Sequence, residues 1–365
     1  MLFAYRPDGP RLHRLAVGAP LGDALWIDLY KPLPSQVQQV GELGIPVPTL
    51  EDMEEIEISN RLYHENGLDF LTVVLPGMNE IKQQVSGPVT FILAANRIVT
   101  VRHHVPRPFE TYPDRADKVS PGCQDPRRLF LSLIEEIVGR LADHLEGAGR
   151  DLDGVSRDVY AQGTASNDQV LLEALRRIGR KSDLIGRVRL ALLTLERALG
   201  FFTSSQGTRL LGAKGVSGLA DLDGVAEPDI DTAADPKRRE PPGIGEQTLH
   251  GKAAKADAEA LRVATKALLR DIQSLEEHAD FLSTRVAMTS DAALGIINLS
   301  QAHTIKLFSV LAVVFLPPTV IASAYGMNFD IMPELHWTWG YPMALGLMLL
   351  SAVGTYAVFK WWKLL

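Results

Sequence analysis

The stretch Leu307 to Tyr325, LFSVLAVVFLPPTVIASAY, carries no charge, and the uncharged run extends to Phe329. At ~1.5 Å rise per residue it can cross a hydrocarbon layer of roughly 30 Å as one helix. A second such stretch, YPMALGLMLLSAVGTYAVF from Tyr341 to Phe359, follows after the connection NFDIMPELHWTWG. The two predict a transmembrane helical hairpin. Lys306 precedes the first span and Lys360 and Lys363 follow the second, whereas the connection has Asp330 and Glu334 but no Lys or Arg. Basic flanks stay on the cytoplasmic side, so both chain ends are expected there, with Trp361 and Trp362 at the interface.

Upstream, MLFAYRPDGPRLHRL lacks the apolar core and small-residue cleavage site of a signal peptide. Runs of β character at Leu25–Tyr30, Phe70–Leu75, Val89–Ala94 and Arg97–Val101 predict a small sheet. Thr49-Leu50-Glu51-Asp52 forms a capping box that opens a helix containing Glu54, Glu55 and Glu57, an acidic run read as a solvated face. Residues 1–124 therefore read as the α/β part of a cytoplasmic domain. Asp125-Pro126 is a helix N-cap with proline at the first position, and Leu129, Leu133, Ile137 and Leu141 recur at helical spacing. Residues 125–202 read as its helical part. Residues 203–247 are rich in Gly, Pro, Asp and Ala, as in EPDIDTAADPKRREPPGIG, and read as a mobile insertion. From Gly251 to Gly295 no Gly or Pro intervenes, which predicts a stalk helix over 248–304 running into the first span. Together they make one helix of roughly 70 residues, on the order of 100 Å. The remaining segments are 305–326, the first span, then 327–340, an external loop, 341–360, the second span, and 361–365, a cytoplasmic tail.

Composition narrows the function. Of 365 residues, 46% are hydrophobic and 22% charged, which a packed core can use. Lys and Arg number 37 against 44 Asp and Glu, a net charge of −7, so no cationic excess exists for a nucleic-acid partner. One cysteine, Cys123, rules out a disulfide framework and a thiolate zinc finger. No P-loop, G-x-S-x-G, H-E-x-x-H or dinucleotide fingerprint occurs, so no enzyme and no organic cofactor is expected.

A stripe at steps of three, four and seven begins at Asp291 and passes Asn298, Ala302, Ile305, Ser309, Ala312, Leu316, Thr319 and Ser323. It is mostly small or polar. That pattern suits a close helix-packing seam or the lining of a pore. Pro317 and Pro318 remove two backbone donors and predict a bend beyond Leu316. Copies of Asp291 from several subunits would make a ring able to concentrate cations, and the residue reads equally as a solvated stalk carboxylate.

The first span ends in Tyr325-Gly326-Met327-Asn328, and Met332-Pro333-Glu334-Leu335 follows. A GMN at the end of the first of two C-terminal spans, then MPEL, resembles the CorA family of magnesium channels. The resemblance implies a funnel-shaped homopentamer in a bacterial-type inner membrane. It has an α/β cytoplasmic domain, a long stalk helix continuing into the pore-lining span, and the second span outside it. It further implies passive, potential-driven uptake of Mg²⁺, with Co²⁺ and Ni²⁺ also permeant, and Mg²⁺ as both transported ion and regulator. Gly326, Met327 and Asn328 then form the selectivity filter, with Gly326 permitting a close chain turn and Asn328 holding the metal through its hydration shell. Leu316, Phe308 and Ile305 form the hydrophobic gate, Thr319 and Asp291 the polar rings, and Glu334 the external cation attraction. Mg²⁺ sheds its water reluctantly, so amide oxygens that capture the hydrated ion suit it. The alternative is a zinc transporter of the ZntB type, possibly proton-coupled. Softer zinc chemistry calls for His or Cys along the path, and His303 and His336 belong to no ligand cluster. The carboxylates Asp271, Glu276, Glu277 and Asp280 on the stalk read as solvated or salt-bridged, and a structural anchor without ion flux is a third reading.

Overall fold

The computed structural model describes residues 1–55, 57, 61–119, 121–161, 168–218, 244–327 and 332–361. It divides the chain into two units, Met1–Leu152 with Gly179–Val286, and Asp153–Ile178 with Ala287–Leu365.

In the first unit, among the described residues, seven strands form one sheet: β1 Leu2–Asp8, β2 Arg11–Arg14, β3 Trp26–Tyr30, β4 Leu62–Glu65, β5 Leu68–Met78, β6 Gln84–Leu93 and β7 Ile98–Arg102. Their spatial order is β2-β1-β3-β7-β6-β5-β4. Only β3 and β7 run parallel, and the connection between them holds the β4–β5–β6 meander and two short helices, α1 Pro34–Gly41 and α2 Leu50–Glu54. The four expected strands are all present, within a larger sheet than expected. The outer strands were hidden because they are short or half-exposed, yet their turns were legible. Asn66 and Gly67 both have positive φ, the geometry of a two-residue hairpin turn, and join β4 to β5.

Both sheet faces are covered. Trp26, Val73, Phe91 and Ile98 face one core, and Ile27, Leu29, Phe70, Ile92, Val99 and Val101 face the other. Burial on both faces explains why these strands read as continuous apolar runs. The first core is closed by α3 Pro108–Thr111 and by three long helices, α4 Pro126–Ala161, α5 Asp168–Gly218 and α6 Ile244–Tyr325. From these come Phe109, Phe130, Leu133, Leu195, Phe202, Leu268, Ile272 and Leu282. Phe91 meets Phe130 edge-on with centroids 5.4 Å apart, and Phe130 meets Phe202 at 5.1 Å. A polar thread crosses the same face of the sheet. Trp26 Nε1 donates to Thr100 Oγ1 (3.0 Å), Thr100 donates to Asp28 (2.8 Å), and Arg102 holds both carboxylate oxygens of Asp28.

The Thr49 cap forms as expected: its hydroxyl accepts from Asp52 N–H, and Asp52 accepts from Thr49 N–H at 2.8 Å. The helix it opens is shorter than expected, because α2 stops at Glu54, Glu55 is extended, and Glu57 lies beyond it. Asp125 accepts from the N–H groups of Arg127 and Arg128 and starts α4. The stretch read as an insertion, 203–247, is helical at both ends. Helix α5 continues to Gly218 and α6 opens at Ile244, while residues 219–243 lie outside the described residues.

In the second unit, α6 continues without a break in its helical assignment through Pro317 and Pro318 to Tyr325. A 3₁₀ turn, Pro333–His336, precedes α7 Gly340–Trp361. Both α6 and α7 are long and apolar enough to cross a membrane.

Candidate functional site

Every stripe residue is exposed in the single chain, from Asp291 through Asn298, Ala302, Ile305, Ser309, Ala312, Leu316 and Thr319 to Ser323. With Met288 and Gly295, also exposed, the positions advance by alternating steps of three and four over five heptads. Phe308, placed with the gate, lies just round the helix from this line and is exposed as well. Within the span the half-buried residues fall elsewhere: Val310, Val314, Pro317, Pro318, Ile321 and Tyr325. At about 100° per residue, the two sets point roughly 160° apart. On α7, beyond the buried Gly340 at its start, the buried and half-buried positions are Ala344, Met348, Ser351, Ala352, Thr355 and Phe359, again one helical face. The first span thus has one face turned to its neighbour and is otherwise uncovered, with the small and polar stripe lying nearly opposite that face.

The hydroxyls on the stripe are oriented by the backbone. Ser309 donates to the carbonyl of Ile305 at 2.8 Å, and Thr319 donates to that of Phe315 at 2.7 Å. With each O–H committed within the helix, the lone pairs of the oxygen remain outward. Those lone pairs are free to accept hydrogen bonds from water. Ser351 and Thr355 satisfy themselves in the same way on α7, donating to Met348 O and Ser351 O.

At the end of the span, Gly326 stands in the turn that follows Tyr325, and its φ is not positive. Its N–H continues the helix to Ala322 O at 2.9 Å. A Cβ here would stand 3.1 Å from that same carbonyl, a tight contact that the chain would have to relieve by a small shift. Met327 follows, exposed, with its N–H toward Ala324 O at 3.4 Å. Asn328 lies outside the described residues, and Glu334 is placed in the 3₁₀ turn Pro333–His336. Trp337, Trp339 and Tyr341 are exposed around the start of α7, as aromatic residues of a membrane interface are.

The stalk carboxylates sit in the first unit. Asp280 pairs with Arg189 at 2.9 Å. Glu276 is half-buried, and burial, Glu196 and Asp280 raise its pKa above the ordinary carboxylate value. Among the described residues no group of three or more His, Cys, Asp or Glu side chains can hold a metal ion. The described residues of a single chain therefore offer a surface of acceptors along a helix and no closed coordination cage.

Comparison with known proteins agrees with this arrangement. The family model described as CorA-like Mg²⁺ transporter protein matches residues 22–214 and 246–361. The magnesium transport protein CorA of Escherichia coli K12 is 33% identical over 365 residues, covering 99% of this chain and 98% of that protein. Its counterpart in Pectobacterium atrosepticum is 32% identical over 367 residues, with the same coverage. The complete structure of the CorA magnesium transporter from Methanocaldococcus jannaschii superposes with a TM-score of 0.65 at 15% identity, covering 99% of this chain and 97% of that one.

Proposed function

Since the chain belongs to the CorA family of magnesium transport proteins, we propose that it forms a passive Mg²⁺ channel in a bacterial-type inner membrane. The observation that carries this reading is the uncovered face of α6. It keeps a strict 3.5-residue period from Met288 to Ser323 and points away from α7. A period of 3.5 closes identical helices into a left-handed bundle. Five copies around one axis place α6 inside and α7 outside, and the stripe becomes the wall of the path. Leu316 and Ile305, with Phe308 beside them, are then rings of apolar side chains that close the path by dewetting. Thr319 and Asp291 are rings of oxygen acceptors, Asn328 is the filter that binds the ion through its water, and Glu334 attracts cations outside.

Transport is driven by the membrane potential, worth about 2.3 kcal/mol per charge per 100 mV, and so about twice that for a divalent ion. Lys306 and Lys360 hold both chain ends in the cytoplasm. Co²⁺ and Ni²⁺ permeate by the same hydrated route, and cytoplasmic Mg²⁺ also acts as a regulator. The family is one of transporters, and the chain has no enzymatic role.

The test is dye-reported Mg²⁺ uptake into proteoliposomes, for the intact chain and for Asn328→Ala, with Co²⁺, Ni²⁺ and Zn²⁺ in parallel and with or without a pH gradient. Uptake that follows voltage, ignores the pH gradient and collapses in the variant is expected. Zinc flux that requires the pH gradient would overturn the reading in favour of a proton-coupled zinc transporter. Flux of no ion from folded protein would leave an anchor.

A further inference from the structure

A groove of about 360 Å³ opens beside the first span, between α6 and α7. Its mouth carries Lys306 and His303, and its walls are Leu307, Val310, Leu311 and Val314 from α6 and Tyr356 from α7. Lys360 does not line the groove but lies one turn beyond Tyr356 on the same face of α7, within reach of its Lys306 end by helical spacing. Among the described residues neither Lys306 nor Lys360 forms an ion pair. No Asp or Glu occurs between Asp291 and Asp330, or after Glu334. The groove is thus cationic at one end and apolar along its length, and among the described residues no carboxylate pairs with either lysine.

We propose that this groove binds an anionic phospholipid of the cytoplasmic leaflet, with the phosphate at Lys306 and Lys360 and an acyl chain along Val310 and Val314. Charge complementarity selects this occupant. A neutral lipid leaves both ammonium groups without an anion, and a free phosphate leaves the apolar walls empty. Basic sites between spans at the cytoplasmic boundary favour anionic headgroups for this reason. The site faces away from the polar stripe, because Val310 and Val314 belong to the opposite side of α6. Its binding rests on the two helices spanning a bilayer and is independent of ion conduction.

Native mass spectrometry of the full chain tests it. Phosphatidylglycerol and phosphatidylcholine with identical acyl chains are supplied in equal amounts, and glycerol 3-phosphate is supplied in a separate arm. Retention of phosphatidylglycerol at about tenfold or more over phosphatidylcholine is expected, with no retention of glycerol 3-phosphate. The pair Lys306→Gln and Lys360→Gln should bring the two lipids to parity. Val310→Trp, which fills the groove and keeps both charges, should lower retention of both, with the thermal midpoint of each variant confirming that it folds. Equal retention of the two lipids by the intact chain would overturn the proposal, as would a preference unaltered in both variants. Retention of glycerol 3-phosphate alone would reduce the site to a headgroup contact, and efficient crosslinking between copies through Leu311→Cys would give the groove to a second subunit. Either result would overturn it. Loss of Mg²⁺ flux with the lipid preference intact would count against the channel reading and not against this one.

Discussion

Strand β3 and the first membrane span are both dominated by apolar residues, and they end in opposite conditions. In β3, Trp26, Ile27, Asp28 and Leu29 are all buried within their own chain. In the span, Leu307, Phe308, Leu311, Phe315 and Leu316 are all exposed. Apolar surface left uncovered in one chain must be covered by lipid or by other copies. The sheet region is therefore complete as a monomer, whereas the span is completed from outside. Side-chain choice follows the same division. Aromatic rings interlock around Phe91 and Trp26, but the stripe on α6 has small residues, hydroxyls and one aliphatic ring position per few turns.

Substitutions in the complete region should cost the most stability. Phe91→Ala empties the space between Phe109 and Phe130 and should cost about 3–5 kcal/mol, read by denaturant unfolding of the full chain in detergent. Arg102→Ala strands the carboxylate of Asp28 in the core and should cost a similar ~3–5 kcal/mol. The double variant with Asp28→Asn should recover part of it. If either single variant melts like the intact protein, the sheet is not the self-sufficient region described.

A pH scan sharpens the same contrast. His104 is buried, its Nε2 bonded to Leu75 O at 2.9 Å, and burial pulls its pKa from 6.5 down to about 4. The folded state therefore resists a proton that the unfolded chain accepts. Stability is complete above about pH 6.5 and falls as the pH drops toward 4, by at most roughly 3 kcal/mol. His103 and His144 are shifted in the same direction by burial, so the measurement is the difference in slope between the intact chain and His104→Gln. Equal slopes would remove His104 from the account. Thr49→Ala deletes the cap of α2 and should cost about 1 kcal/mol. Because hydrogen bonds from Thr49 lower the pKa of Asp52, that contribution is present above the ordinary carboxylate range and fades in acid.

The smallest stability effect belongs to the stripe. Leu316→Ala removes a side chain that touches little in its own chain and should shift unfolding by less than about 0.5 kcal/mol. Mg²⁺ uptake should nevertheless rise under conditions that close the intact protein. A variant that unfolds without altering flux would place Leu316 in a packing seam and dissolve the contrast between the two regions.

The parts legible in the sequence are those fixed by local chemistry. Span length, the Lys306 and Lys360 flanks, the Thr49 and Asp125 caps and the four central strands each follow from a few adjacent residues. The outer strands β1, β2 and β4, of which β2 and β4 are the edges, were not read, since half-exposed strands lack an apolar run, although Asp8-Gly9 and Asn66-Gly67 signal their turns. The helical continuation to Gly218 was hidden because its Gly, Ser and Thr content favours a loop locally. On the site, the 3.5 period gave the phase of the stripe, and the opposed phase of the half-buried set needed three dimensions. Gly326 does stand in the turn that ends α6, and the close approach of the Ala322 carbonyl to it needed three dimensions to see.

The helix α6 contributes Leu268, Ile272 and Leu282 to the first core and then enters the membrane span at Leu307. During synthesis, at about 5–20 residues per second, the ribosome takes roughly 15–60 s to reach that point. Strands β3 and β7, whose parallel pairing closes over the intervening meander, are long since made by then. Their covering helix arrives only about 25 residues before the segment that must leave water. The last pieces of the soluble core and the first membrane helix thus emerge together, so the nascent chain has a short interval in which to seal one before committing the other. A chaperone or insertion factor acting on this protein has its decisive moment there, late in translation.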